Sequence, residues 1–149
     1  MELPRVLVGT LYSGENEFDV CCQTISGQKG CSIHHHIIEG LSSKEAHDNL
    51  YAYFMEHHSA FDYFVKIDAD MVLKSDDSIS KIVDFFRGKP DVDHVVFAVD
   101  DWFTNSPLMG LHVFTSRVIW KCSAEKLFVD VGPDVPGRKI VQREAPAPI

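Results

Sequence analysis

Lys66-Ile67-Asp68-Ala69-Asp70-Met71-Val72-Leu73 carries two carboxylates two residues apart inside an otherwise apolar run, with Phe64 and Val65 leading in. A short continuous apolar run of this kind reads as a buried strand. Burying ionised carboxylates is costly unless a cation or hydrogen-bond donors compensate them. Residues 68 and 70 of a strand share one face. If the strand ends there, both carboxylates converge at the C-terminal edge of the sheet, where open α/β sheets bind ligands. Such a pair suits a hard divalent cation carrying phosphates. A bare Asp-x-Asp is common and also reads as surface or capping aspartates; its place at a strand end is what raises it.

Working outward, the flanking segments alternate between strand and helix. Arg5 to Thr10 is a short β-branched strand, broken by Leu11-Tyr12-Ser13-Gly14. Glu15 and Glu17 fall in the first turn of a helix, where negative charge is favoured. Its apolar residues Phe18, Cys21, Cys22 and Ile25 follow at helical spacing, up to Gly27 or Gly30. Cys31 to Ile38 is a second strand. Ser42-Ser43-Lys44-Glu45 is a capping box opening a helix with Ala46, Leu50, Tyr53, Phe54 and His57 on one face. Tyr63 to Ile67 is the third strand. Asp76, Asp77 and Ser78 can cap the next helix, which turns Ile79, Ile82, Val83 and Phe86 inward and stops at Gly88-Lys89-Pro90. His94 to Val99 is a fourth strand, running into Asp100-Asp101-Trp102, and Met109 to Thr115 is a fifth. The order predicts an α/β/α sandwich around a mainly parallel sheet. Residues 1–122 form its body, and 123–149 a mostly irregular tail of the same domain containing Pro133, Pro136, Pro146 and Pro148.

Composition bounds the function. A chain of 149 residues with 45% hydrophobic and 24% charged residues is ordinary for one globular domain. A formal charge of −8 argues against general nucleic-acid binding, and an acidic protein that handles phosphate must bring a metal. No apolar run reaches the roughly 18 residues of a membrane span, and Met1-Glu2-Leu3-Pro4-Arg5 lacks a signal-peptide pattern. The four cysteines contain no Cys-x-x-Cys pair, so neither a zinc site nor a disulfide framework is expected, and a cytoplasmic setting fits. GxGxxG, GxxxxGK[ST] and GxSxG are all missing. His34-His35-His36 looks like a metal cluster, but consecutive strand residues alternate faces.

Several stretches together carry a resemblance. Val6-Leu7-Val8-Gly9-Thr10-Leu11-Tyr12-Ser13, Ile37-Ile38-Glu39-Gly40-Leu41-Ser42, Ala46-His47-Asp48-Asn49-Leu50-Tyr51, Lys66-Ile67-Asp68-Ala69-Asp70 and Met109-Gly110-Leu111-His112-Val113-Phe114 occur in an order and spacing that resembles a family 2 glycosyltransferase of the GT-A fold. The resemblance spans roughly Arg5 to Trp120, a short stretch for that family.

The resemblance implies a UDP-sugar donor, a glycan or other hydroxyl acceptor, and Mn²⁺ or Mg²⁺. Asp70 would hold the metal, and Asp68 would reach the ribose or the metal. Thr10, Leu11 and Tyr12 would line the base pocket, with Glu39 near the nucleoside and Ala69 between the two aspartates. His112, the last histidine of the chain, is the remaining candidate for a histidine in the metal shell, although a lone His in an apolar strand also reads as a core residue. An inverting transferase needs a carboxylate to take the acceptor's proton. The Glu-Asp that supplies it in the family is missing here. Asp134 and Asp130 follow the glycine-containing strand, and Asp100 and Asp101 end the fourth strand. Trp102 beside them is a candidate for stacking on a sugar or an ordinary core or rim aromatic. Two other readings stand beside this one: a nucleotidyltransferase, whose glycine-rich basic loop is missing, and a non-catalytic nucleotide-sugar-binding domain.

Overall fold

The computed structural model of the protein describes residues 2–101, 106–120 and 133–134. Its elements run β1 (Arg5–Tyr12), α1 (Phe18–Ser26), β2 (Ser32–Glu39), α2 (Ser43–Glu56), β3 (Tyr63–Lys66), α3 (Ser78–Arg87), β4 (His94–Asp101), β5 (Ser106–Thr115), β6 (Ile119–Trp120) and β7 (Pro133–Asp134). The first five expected strands and all three helices are present, with ends shifted by a few residues. Trp102, Asp130 and nearly all of the expected tail lie outside the described residues.

The sheet is mixed rather than mainly parallel. Its order is β2-β1-β3-β5-β4. β1 pairs in parallel with both β2 and β3, whereas β5 lies antiparallel to both β3 and β4. The reason is connectivity. The chain leaves β4 and returns directly as β5 after residues 102–105, too short a link for the crossover that a parallel neighbour needs. β6 and β7 form a separate two-stranded ribbon.

Alternation along the strands divides the interior in two. Val6, Val8, Val65, Ile67, Val95 and Val113 pack with Cys21 and Ile25 of α1 and with Ile79, Ile82, Val83 and Phe86 of α3. On the opposite face Leu7, Phe64 and Phe114 pack with Leu50 and Phe54 of α2 and with Trp120. Phe54 and Phe64 stack with centroids 4.7 Å apart. α2 lies close on β1 because residue 9 is glycine: a Cβ there would overlap Leu50 Cδ1 and lie 3.0 Å from Phe54 Cζ. The capping box is half realised in that Ser42 Oγ accepts a bond from the Glu45 amide at 3.4 Å. Asp77 precedes α3 without a side-chain cap. It accepts a bond from Ser75 Oγ instead and pairs with Lys81. No helix of the described residues is long and apolar enough to cross a membrane.

Candidate functional site

β3 ends at Lys66, one residue earlier than expected. The alternation argument for Asp68 and Asp70 therefore does not apply, because the two aspartates occupy a turn rather than a strand. The Ile67 amide bonds the Gly9 carbonyl at 3.0 Å, and the Met71 amide closes back on the Asp68 carbonyl at 2.9 Å. Ala69 is buried, Asp68 half-buried and Asp70 exposed. Apolar residues at 67, 69 and 73 anchor the turn, so its aspartates can face solvent at the sheet edge.

α1 fastens the segment after β3 at several points. The Cys21 thiol donates to the Asp68 carbonyl at 3.6 Å. The Leu73 amide donates to Thr24 Oγ1 at 3.3 Å, and Gln28 Nε2 donates to the Ser75 carbonyl at 2.7 Å. On the other side β5 closes in at Gly110. The register shifts so that Gly110 is an extra residue between Leu111 and Met109, a β-bulge. A Cβ on Gly110 would lie 3.2 Å from Val99 Cγ2 and 3.5 Å from Met71 Cε. These ties fix the Asp68–Met71 turn from both sides.

The turn forms one wall of a cleft of about 300 Å³. Leu11, Tyr12 and Ser13 at the end of β1 form a second wall, and Ser43, Ala46 and His47 at the start of α2 form a third. Tyr12 is held by a stack on Phe18, centroids 3.9 Å apart. Glu15 also lines the cleft and accepts bonds from the Ser13 amide and hydroxyl at 2.8 and 2.7 Å. Five of the residues expected to bind nucleotide thus come together: Leu11, Tyr12, Asp68, Ala69 and Asp70.

Two do not. Thr10 is fully buried, with its hydroxyl 2.8 Å from His35 Nε2, and is not among the residues lining the cleft. Glu39 lines a neighbouring groove of about 520 Å³ beside β2, which shares Ile38 and Leu41 with the cleft.

The electrostatics of the turn are acidic. Partial burial, then the Asp68 charge and the more distant Glu15 and Glu17, push the Asp70 carboxyl up. Lys66, at the end of β3, pairs with Asp68 at 3.3 Å. His47 Nδ1 lies 2.7 Å from the Ser43 carbonyl, which places the ring proton on Nδ1 and leaves Nε2 as an acceptor. Burial pushes its pKa down. His47 is the cleft residue the sequence reading passed over; its spacing from the Ser42 cap was the available signal.

His112 pairs across the ladder with Lys66, and its Nδ1 lies 3.1 Å from His94 Nε2. Burial lowers its pKa, followed by the Lys66 charge. Among the described residues, no three His, Cys, Asp or Glu side chains gather closely enough to hold a metal by themselves. The donor set that fits a hard cation is therefore the carboxylates of Asp68 and Asp70, a pair that leaves most of the coordination shell to phosphate and water. Burial and then the Asp68 charge raise Asp70, and a cation would offset both. His34 and His36 do share a face, as alternation requires, and His36 stacks on Tyr53 with centroids 3.6 Å apart, followed by His57 at 4.0 Å. His35 points the other way, toward Thr10.

Of the expected proton acceptors, Asp100 and Asp101 are not among the residues lining this cleft. Asp100 ends β4 at the same sheet edge but pairs with Lys74. Asp101 pairs in register with Ser106. The Asp134 backbone pairs with Ile119 in the small ribbon, next to Trp120, which stacks on Tyr51.

No protein-family model matches the chain, and no curated protein matches it. Among solved structures it is similar to A197 from STIV, with 12% identity and a TM-score of 0.53 over 74% of this chain and 64% of that one. The chain thus spans just under two thirds of that structure's length, and the likeness concerns the fold alone.

Proposed function

We propose that the chain is a GT-A-type domain that binds a UDP-sugar with Mn²⁺ or Mg²⁺ and transfers the sugar to an acceptor hydroxyl with inversion. The observation that carries this reading is the convergence of Leu11 and Tyr12 with Asp68, Ala69 and Asp70 around one cleft. Its volume is at the lower end of the roughly 300–1,000 Å³ usual for small-molecule sites. In this reading Leu11 and Tyr12 flank the base. Asp68 and Asp70 would hold the cation, and Ser43 and His47 form the wall opposite the turn. A bound divalent cation supplies charge neutralisation at a diphosphate leaving group. Lys66 holds Asp68 in place, and the Cys21 thiol and Gly110 hold the turn.

A second reading, a nucleotide-sugar-binding domain without transfer activity, is favoured by one observation: Asp100, a candidate proton acceptor, is engaged by Lys74. Nucleotide-sugars screened with Mn²⁺ for thermal stabilisation identify the donor. Slow hydrolysis of that donor, lost in Asp70→Ala, supports the transferase; stabilisation without hydrolysis supports the binding domain. If no nucleotide-sugar stabilises the protein, both fail.

A further inference from the structure

A second cavity, of about 470 Å³, opens at the opposite edge of the sheet, beside the start of β3 and the end of β5. It owes nothing to the cleft residues and does not rest on the glycosyl-transfer reading. Arg87, the last residue of α3, and Arg117, two residues beyond β5, both line it.

The two guanidiniums are held differently. Arg117 donates through Nε and Nη2 to Asp93 Oδ1, at 2.8 and 2.6 Å. Asp93 is fully buried, and the same oxygen accepts the Thr115 hydroxyl at 2.6 Å. Arg117 is thereby pre-aimed, with half of its side chain still exposed. Arg87 is exposed, and among the described residues no carboxylate stands within ion-pair distance of it. The third arginine of this edge, Arg5, is committed to Asp62 at 3.1 Å.

The cavity is thus lined by two arginines, Arg87 and Arg117, and one aspartate, Asp62, which is already paired with Arg5, in a chain of net charge −8. Tyr63 lines the cavity with both arginines. Below them Tyr63, Phe86, Val92 and Pro90 give an apolar floor.

We propose that this cavity binds a phosphate monoester, its phosphate between Arg87 and Arg117 and its organic body on Tyr63 and Phe86. Guanidinium forks match the oxygens of a phosphate with short charge-assisted bonds. The volume exceeds what a bare anion fills, since a water's share of liquid is only about 30 Å³. Ser116 lines the same rim and offers a neutral hydroxyl.

The test is calorimetric titration of the whole chain with phenyl phosphate at fixed ionic strength, with inorganic phosphate as a second titrant. Arg87→Gln is the deciding variant, because among the described residues Arg87 pairs with no buried carboxylate. Expected is saturable one-to-one binding, weakened about tenfold or more in Arg87→Gln, unchanged in Asp70→Ala, and tighter for phenyl phosphate than for inorganic phosphate. No saturable binding, equal affinity in Arg87→Gln, or loss in Asp70→Ala would each overturn the site. Equal affinity for the two titrants would overturn the assignment to a monoester.

Discussion

Lys66 and Asp68 form a 3.3 Å ion pair in which the lysine is the shielded partner: its side chain is 14% exposed, against 46% for the aspartate. The carboxylate reaches the cleft while its counter-charge stays behind it, between the end of β3 and His112. The turn therefore presents Asp68 partly neutralised and Asp70 without such a partner behind it. Under the proposed function, that difference would give Asp70 the larger share of cation binding.

Lys66→Met removes the standing counter-charge and makes the cleft more negative. A pair this exposed is worth about 1 kcal/mol, so Mn²⁺ alone, followed by electron paramagnetic resonance, is expected to bind roughly fivefold more tightly. Weaker or unchanged Mn²⁺ affinity would show that Lys66 does not compete for Asp68.

Stability is expected to fall in mild acid because of His94. Burial pushes its pKa down to about 4, with His112 adding to the effect, and among the described residues its Nδ1 has no hydrogen-bond partner. The unfolded chain takes up a proton near pH 6.5, whereas the folded one resists until about pH 4. Stability is thus fully present above the unfolded value and is lost as pH falls through that window, by roughly 3 kcal/mol. Urea unfolding at pH 7.5 and pH 5 measures the slope, and His94→Leu is expected to flatten it. An equal slope in that variant would assign the effect elsewhere.

Gly9→Ala tests the contact between α2 and β1. The new methyl would overlap Leu50 and crowd Phe54, and overpacking of this kind costs about 1–3 kcal/mol. A lower urea midpoint is expected. An unchanged midpoint would mean that α2 can move off β1 without cost.

Thr10→Val separates fold from site. Its hydroxyl serves His35 rather than the cleft, so the variant is expected to lose about 1 kcal/mol of stability and to keep its nucleotide affinity. A large loss of nucleotide affinity would return Thr10 to the base pocket.

The body of the fold was legible because its elements are strongly periodic and short. Ile79, Ile82, Val83 and Phe86 announced α3, and β1 was plain from its β-branched run. The antiparallel entry of β5 was not legible, since Met109 to Thr115 reads alike in either direction. Only the short link from β4 decides it. At the site, Asp68 and Asp70 stood out as charges in an apolar run. Their turn did not, because it is set by backbone bonds from Met71 and by the Cys21 thiol on a different element. His47 was hidden for a similar reason, as its neighbours in the cleft lie on β1 and after β3. The place of Thr10 was not legible because the partner of its hydroxyl, His35, lies on the neighbouring strand β2.

Under the proposed function, Asp70 and a divalent cation together bind a nucleotide diphosphate in the cleft of Leu11, Tyr12 and Asp68. Calorimetric titration of UDP into the wild-type chain and into Asp70→Ala, each with and without Mn²⁺, measures it most directly. Mn²⁺ is expected to strengthen UDP binding to the wild type, and Asp70→Ala to abolish that gain. Equal UDP affinity with and without Mn²⁺ in the wild type would contradict it.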